Sequence, residues 1–162
     1  MGFSFRCTGM DELMAKMDKA PENAADVAAL ALYEGAAIVA DSVSGAIGGI
    51  ATKRFKYPAP PGTQRMPSPE EKALLAGAKH GVAKFHKDVT NVNTSVGLQN
   101  AGYGSINGKT KPIPQIANAI NSGTSFMKKQ PFFRKATNKA KGPAQAAIEG
   151  GIMSRQDMLG IE

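Results

Sequence analysis

The stretch Ser122–Ala136 reads SGTSFMKKQPFFRKA and carries the strongest local signals in the chain. It combines a tight Gly-Thr turn, two lysines, a proline and a pair of phenylalanines at the start of a basic segment. Pro131 suits the first position of a helix, because proline lacks the N–H that would have no partner there and its φ is already helical. Phe132 and Phe133 can then pack that helix onto a core. A helix is therefore predicted from Pro131 to about Lys141.

Two helix-breaking pairs follow this helix. Gly142-Pro143 predicts a break or a kink, with a second helical piece over Ala144–Ile148. Gly150-Gly151 predicts the release of a C-terminal tail over residues 150–162. We therefore expect one domain over residues 1–149, followed by that tail.

Helices elsewhere are predicted from start and stop signals and from apolar periodicity. The longest begins at Pro21 and ends near Ser44, and its alanines and Gly35 permit the close approach of a sheet or another helix. Its inward-facing candidates are Val27, Leu30, Ala31, Ile38 and Val39. Shorter helices are predicted over Asp11–Met17, over Glu70–Ala78 and over Pro114–Asn121, the last of which Gly123 stops.

Strands are predicted where apolar residues alternate with small or polar ones. The candidates are Phe3–Cys7, Lys53–Tyr57, Gly81–Phe85 and Val92–Leu98. Asn107-Gly108 predicts a two-residue hairpin turn, and the prolines of Tyr57–Pro69 predict an exposed, extended loop. The pattern is typical of an α+β fold, in which a small, mostly antiparallel sheet is flanked by the long N-terminal helix and the C-terminal basic helix.

Charge is spread unevenly along the 162 residues, which carry a net charge of +7. Residues 1–50 have a net charge of −4, residues 51–141 of +13 and residues 142–162 of −2. An acidic part and a basic part on one small protein suit head-to-tail contacts between identical subunits, a ring that faces an acidic partner, or nucleic acid. Ordinary solvated lysines explain the same composition.

Cysteine usage and hydropathy bear on the compartment. Cys7 is the single cysteine, so no internal disulfide forms and the composition fits a reducing compartment. No apolar run reaches the ~18 residues that a spanning helix needs, and the first residues lack the pattern of a signal peptide. We expect a soluble protein that is made in a cytoplasm.

The sequence contains few residues in patterns typical of catalytic, metal or phosphate-binding sites. The two histidines, His80 and His86, lack further ligands at metal-binding spacing. The Gly-rich stretch Ser44–Lys53 lacks the adjacent Gly-Lys-Ser/Thr of a phosphate-binding loop. We therefore expect no catalytic, metal or cofactor site, and a chain that is not an enzyme.

The strongest candidate for a functional site is the group of lysines and arginines on both sides of the phenylalanine pair. We favour a partner interface, in which cations form the rim around an apolar anchor. A solvated face and contact with DNA explain the same residues, although no DNA- or RNA-binding motif accompanies them. The predicted interface residues are Lys128, Lys129, Phe132, Arg134, Lys135 and Lys139, with Lys141 as a further cation.

Several segments resemble segments of one protein family, both in amino-acid sequence and in their order along the chain. GTS followed by QPFFRKA resembles the C-terminal signature of the gene-product-ten-like neck or tail-completion proteins, a head-tail joining family of long-tailed bacteriophages. Phe5–Met17, Gly81–Gly104 and Lys111–Ser125 are similar to further segments of that family. Where many members carry P-x-D-T-G-x-L-x-x-S-I, this chain has YPAPPGTQRMPSPEEKALLAG at Tyr57–Gly77.

The resemblance implies a structural protein of the virion neck or tail, made in the cytoplasm of a bacterial host. It implies a homo-oligomeric ring of six copies between the head-closure proteins and the tail tube. The implied partners are the chain itself, the head-closure or connector protein, and the tail terminator or tail tube protein, with non-specific contact to passing DNA and no membrane. The alternatives are a tail terminator protein and, from another class, a small basic nucleic-acid-binding protein.

Overall fold

The computed structural model describes residues 3–4, 24–54, 62–78, 80–82, 86–87, 92–98 and 102–155. Its helices are α1 (Ala24–Gly48), α2 (Pro69–Gly77), α3 (Ile113–Ser122) and α4 (Phe132–Met153). Its strands are β1 (Phe3–Ser4), β2 (His80–Val82), β3 (His86–Lys87), β4 (Val92–Asn93), β5 (Ser95–Leu98), β6 (Tyr103–Ile106) and β7 (Lys109–Pro112). The α+β class predicted from the sequence is confirmed.

The described strands form three separate groups and not the single small sheet that the sequence suggested. One group has the order β1-β5-β2, and β3-β4 and β6-β7 are two-stranded. β1 runs antiparallel to β5, with Phe3 opposite Val96. The predicted strand over Val92–Leu98 is interrupted at Thr94, so each strand here is shorter than the five or six residues, roughly, of a typical strand. Such short strands favour small local pairings over one continuous sheet.

The contacts divide the chain into two compact units, each built from distant parts of the sequence. The first unit contains residues 41–80 and 98–139, and the second contains residues 2–40, 81–97 and 140–162. The division passes through both α1 and α4. The single domain predicted over residues 1–149 stays a prediction.

In the second unit, the N-terminal half of α1 packs antiparallel against the C-terminal half of α4. Gly35 lies at the closest approach, since an added Cβ would lie 2.5 Å from Ile148 Cγ1 and 3.0 Å from the Ala144 carbonyl oxygen. The prediction that Gly35 permits the close approach of another helix is therefore confirmed. The buried apolar cluster beside it contains Ala31, Leu32, Ile148 and Ile152.

The buried side of α1 corrects one of the predicted core positions. Val27, Ala31 and Val39 are buried as predicted, whereas Leu30 is 49% exposed. Ala31 and Gly35 lie on the buried side of this part of the helix, and Leu30 lies on the opposite side.

α1 ends at Gly48, one turn beyond the predicted end at Ser44. Ile47, in that last turn, is 2% exposed, and its burial offsets the low helix propensity of Gly45. By length and composition α1 is also apolar enough to cross a membrane, with a mean hydropathy of 1.4 over its most apolar window. Core helices of soluble proteins pass the same test, and 44% of that window is buried inside the protein.

α4 is continuous from Phe132 to Met153, so a break at Gly142-Pro143 and the end of the helix predicted at Gly150-Gly151 are wrong. The kink predicted as the alternative at Gly142-Pro143 stays a prediction. Pro143 lies on the exposed side, where water can satisfy the Lys139 carbonyl that loses its N–H partner. An apolar stripe with a four-residue spacing stabilises the helix across these positions. Its buried members are Ala136, Ala140, Ala144, Ile148 and Ile152.

In the first unit, the hairpin β6-β7 turns at Asn107 and Gly108, whose φ angles are 51° and 72°. This confirms the predicted two-residue turn. Gly104 of the hairpin lies against Leu74 of α2, where an added Cβ would collide with that side chain. α3 is also confirmed, and it ends at Gly123, whose φ is 77°.

Two predictions about the connecting segments of this unit are wrong. The proline-rich loop is not exposed throughout, because Arg65 is 8% exposed and Pro67 is fully buried. Lys53 and Arg54 belong to no strand. The Lys53 N–H instead donates to the Pro67 carbonyl oxygen at 3.0 Å, which joins this segment to the loop.

Some predictions fall outside the described residues. These are the helix over Asp11–Met17, the strand residues 5–7, 55–57 and 83–85, and the tail beyond Arg155.

Candidate interaction surface

Five cations from the predicted interface lie in the first unit and are exposed. Together they are called the basic surface: Lys128, Lys129, Arg134, Lys135 and Lys139. Lys128 and Lys129 belong to the extended segment before α4, and the other three belong to the first two turns of that helix. Lys141, further along α4, is exposed as well.

The backbone before Lys128 is held by the proline-rich loop. The Arg65 N–H donates to the Phe126 carbonyl oxygen at 2.9 Å, and the Lys128 N–H donates to the Arg65 carbonyl oxygen at 2.8 Å. These bonds pair Arg65 with Met127 in a parallel bridge, and Met127 is 1% exposed. Gln64 Nε2 adds a bond to the Thr124 carbonyl oxygen at 2.8 Å.

The backbone after Lys129 is held by Gln130. Its side chain pairs with the backbone of Ala51: Gln130 Nε2 donates to the carbonyl oxygen at 2.7 Å, and the Ala51 N–H donates to Gln130 Oε1 at 2.9 Å. The Gln130 N–H also donates to the Ile120 carbonyl oxygen at 2.8 Å. Lys128 and Lys129 therefore project from a backbone that is fixed on both sides.

The start of α4 is capped by the chain itself. The Phe132 N–H donates to the Gln130 carbonyl oxygen at 2.7 Å, and the Phe133 N–H donates to Asn121 Oδ1 at 3.2 Å. Two of the donors that an anion could use at a helix N-terminus are thus occupied. The cationic side chains, and not the helix amides, are the groups that this surface offers to a partner.

Phe132 does not lie on the surface as an apolar anchor. It is 7% exposed and belongs to the core, whereas Phe133 is half-buried. The His80 ring packs edge-on against Phe132, with ring centroids 6.4 Å apart. Burial of His80 lowers the pKa of its imidazole below the ordinary value of 6.5.

The basic surface is electrostatically unfavourable for α4. Arg134 and Lys135 lie near the positive end of the helix dipole, and α4, which is described throughout, has no acidic residue in its first turn. Charges of the unfavourable sign at a helix end cost about 0.3–1 kcal/mol each. An anionic partner would relieve this repulsion.

Arg65 and Glu71 form a second charged feature, which the sequence interpretation missed. They lie in a cleft of about 300 Å³ together with Arg54, Ser68, Glu70, Ile106 and Asn107. Burial raises the pKa of the Glu71 carboxyl, but hydrogen bonds from Arg65 and from the Ser68 N–H outweigh burial, and the pKa is lowered below 4.5. The available sequence signal was the capping box formed by Ser68 and Glu71.

A more apolar cleft of about 580 Å³ lies beside α2 and is lined by Leu74, Ala78, Gly102 and Ile113, among others. Among the residues that the structure describes, no three His, Cys, Asp or Glu side chains are grouped so that they could hold a metal ion.

No protein-family model, no curated protein and no solved structure matches the chain.

Proposed function

We propose that this chain is a structural protein of a bacteriophage neck or tail, which completes the tail as a homo-oligomeric ring between the head-closure proteins and the tail tube. The sequence similarity of Ser122–Ala136 to the neck-protein signature supports the proposal. The observation that carries it is the rigid presentation of Lys128 and Lys129 between the bonds of Arg65 and Gln130. A surface that is ordered before contact loses less entropy when a partner binds.

A ring protein acts through interface area and electrostatic complementarity. The basic surface offers five exposed cations in the first unit, whereas residues 1–50 have a net charge of −4. Such separation of charge within one chain favours contacts between unlike surfaces of neighbouring subunits. A tail terminator, which would bind at the end of the tail tube, is the alternative within the same class of structural protein.

A small nucleic-acid-binding protein is the second candidate. The segment Lys128–Lys141 contains six cations and no acidic residue, and such a segment can neutralise several phosphates. The Phe132 and Phe133 N–H groups at the start of α4 are already bonded within the chain, and no DNA- or RNA-binding sequence motif accompanies the cations. This candidate predicts tight binding of duplex DNA that persists at physiological salt.

Quantitative mass spectrometry of purified phage particles that encode this chain tests the proposal. We expect the chain in every intact particle at a fixed, small copy number. Lys128→Glu with Lys129→Glu should reduce its incorporation, while Lys53→Glu with Lys109→Glu, which changes two other exposed lysines by the same charge, should not. Absence of the chain from intact particles would contradict the proposal.

A further inference from the structure

The loop between α3 and α4, residues 123–131, is closed at its base. The Gln130 N–H donates to the Ile120 carbonyl oxygen at 2.8 Å, so the two ends of the loop meet. Gly123 approaches Lys129 so closely that an added Cβ would lie 2.9 Å from the Lys129 Cβ. Compact surface loops whose ends meet in this way frequently carry function. We call this segment the α3–α4 loop.

The tip of the α3–α4 loop is a hydrogen-bonded turn around Ser125 and Phe126. The Thr124 N–H donates to the Met127 carbonyl oxygen at 2.9 Å, and the Met127 N–H donates to the Thr124 carbonyl oxygen at 3.3 Å and to Thr124 Oγ1 at 3.0 Å. The Phe126 carbonyl oxygen accepts from the Arg65 N–H. The backbone of Phe126 is therefore held in place before any partner binds.

Phe126 presents a large apolar side chain at this tip and is 51% exposed. Turns favour Gly, Pro, Asn, Asp and Ser, so the turn itself does not require a phenylalanine. Met127 is buried, and side chains alternate along extended backbone. Phe126 and the exposed Lys128 therefore lie on the same side of the segment, with the aromatic ring beside a cation.

The cations next to this ring are not neutralised within the first unit. Among the residues that the structure describes, no carboxylate forms an ion pair with any side chain of the basic surface. Lys128 and Lys129 belong to the α3–α4 loop itself, and the other three cations follow in the first two turns of α4. Charge complementarity therefore requires an anionic partner.

The aromatic content of the segment favours a protein over a nucleic acid as that partner. Proteins that bind single strands stack successive bases on several aromatic side chains. Between Ser122 and Lys139 only Phe126 is more than half exposed among the aromatic residues, since Phe132 is buried and Phe133 is half-buried. One aromatic anchor with a charged rim is the arrangement of a protein interface.

A second copy of the chain matches this surface poorly. Glu71 and Glu34 already pair with arginines of their own chain, and Glu149 accepts a bond from Gln145. These bonds leave few carboxylates on the described part of a second copy to face five cations. The partner is therefore a different protein.

We infer that the α3–α4 loop docks on a different, acidic protein, which receives Phe126 in an apolar pocket and pairs carboxylates at the rim of that pocket with Lys128 and Lys129. The inference rests on the proposed function and names the chemistry of the neck or tail protein that adjoins the ring. Phe126 takes the role of apolar anchor that the sequence suggested for Phe132. Because the loop is ordered beforehand, docking costs little conformational entropy.

Photo-cross-linking in bacteria that produce the phage encoding this chain tests the inference. Phe126→p-benzoylphenylalanine keeps an aromatic side chain at the tip and bonds to whatever contacts it under ultraviolet light. We expect mass spectrometry to find links to one other protein, at a segment that carries Asp or Glu. Tyr103→p-benzoylphenylalanine, at another exposed aromatic of the first unit, is the matched control and should not give this link.

Titration of the purified chain with the cross-linked protein provides the second measurement. Phe126→Ser should weaken binding by about tenfold or more, the usual loss at an anchor residue, without lowering the melting temperature. Lys128→Glu with Lys129→Glu should weaken binding to a similar extent, and the remaining affinity should respond less to salt. Lys53→Glu with Lys109→Glu should bind like the natural chain.

Four results would overturn the inference: links from residue 126 to nucleic acid, links to a second copy of the chain, no link at all, or normal binding by Phe126→Ser. The proposed function fails separately. If intact particles contain the chain but residue 126 links to no other protein, the virion role stands and the docking surface is wrong. If particles lack the chain and residue 126 still links to an acidic protein, the docking surface stands and the virion role is wrong.

Discussion

Arg65 and Glu71 form a buried ion pair with two parallel bonds: Arg65 Nη1 donates to Glu71 Oε2 at 2.6 Å, and Nη2 donates to Oε1 at 2.5 Å. The backbone of Arg65 also pairs with the segment that carries Met127 and Lys128. The pair therefore connects the start of α2 to the backbone of the basic surface. Its removal should disturb both.

Glu71→Ala should lower the free energy of unfolding by about 3–5 kcal/mol, because it leaves the Arg65 guanidinium buried without its carboxylate. Urea unfolding measures this change. Glu70→Ala is the matched control, since Glu70 is the exposed neighbour on the same turn, and it should change the midpoint much less. Equal effects of the two substitutions would show that the buried pair does not stabilise the fold.

Phe132→Ala should lower the free energy of unfolding by about 3–5 kcal/mol, the usual loss for a buried phenylalanine. Phe133→Ala should cost less, because Phe133 is only half-buried. From the sequence, Phe132 and not Phe133 was placed among the interface residues. Thermal unfolding of the two variants decides between the residues, and a lower melting temperature for Phe133→Ala would restore the original assignment.

Gly35→Ala should destabilise the protein by about 1–3 kcal/mol, because the new Cβ would collide with Ile148. Gly45→Ala, on the same helix, meets nothing within 4 Å. It should stabilise the protein by up to about 1 kcal/mol, the difference in helix propensity between alanine and glycine. If both substitutions stabilise, the packing of α1 against α4 is looser than described.

His80 makes stability depend on pH near neutrality. Its folded pKa is lowered by burial, so the unfolded chain binds the proton more readily, and stability should fall as the pH drops below 6.5. His80→Leu should reduce this loss between pH 7 and about pH 5, a range above the ordinary carboxyl pKa values. Urea midpoints at several pH values test this, and an unchanged slope in His80→Leu would contradict it.

Binding of naked duplex DNA should be weak, independent of sequence and lost at moderate salt. If all five cations of the basic surface contact phosphates, raising salt from about 50 to 200 mM lowers affinity by about two to three orders of magnitude. Titration of two labelled duplexes of different sequence at each salt concentration measures both properties. Tight, sequence-dependent binding at physiological salt would favour the nucleic-acid-binding alternative.

Local signals in the sequence were sufficient to predict several turns and helix ends. Asn107-Gly108 and Gly123 mark a turn and a helix end through their positive φ angles, and Pro131 precedes α4 directly. These elements depend on residues close together in the chain. Leu30 and the break at Gly142-Pro143 were misassigned because burial, which is decided by distant residues, overrode periodicity and propensity.

The candidate surface could be predicted in composition but not in architecture. Its cations are readable from the sequence, and all five are exposed. The bonds that fix their backbone join Gln130 to Ala51 and Arg65 to Met127, pairs that are far apart in the chain. No local pattern encodes such pairings, and so the sequence placed Phe132 at an interface where the fold uses it as core.

A cryo-electron microscopy reconstruction of the neck of intact phage particles tests the central claim most directly. We expect a ring of identical subunits between head and tail tube, into which this chain fits, with Lys128 and Lys129 at a contact between subunits or with the adjoining ring. A reconstruction whose neck and tail rings are all accounted for by other proteins would contradict the claim.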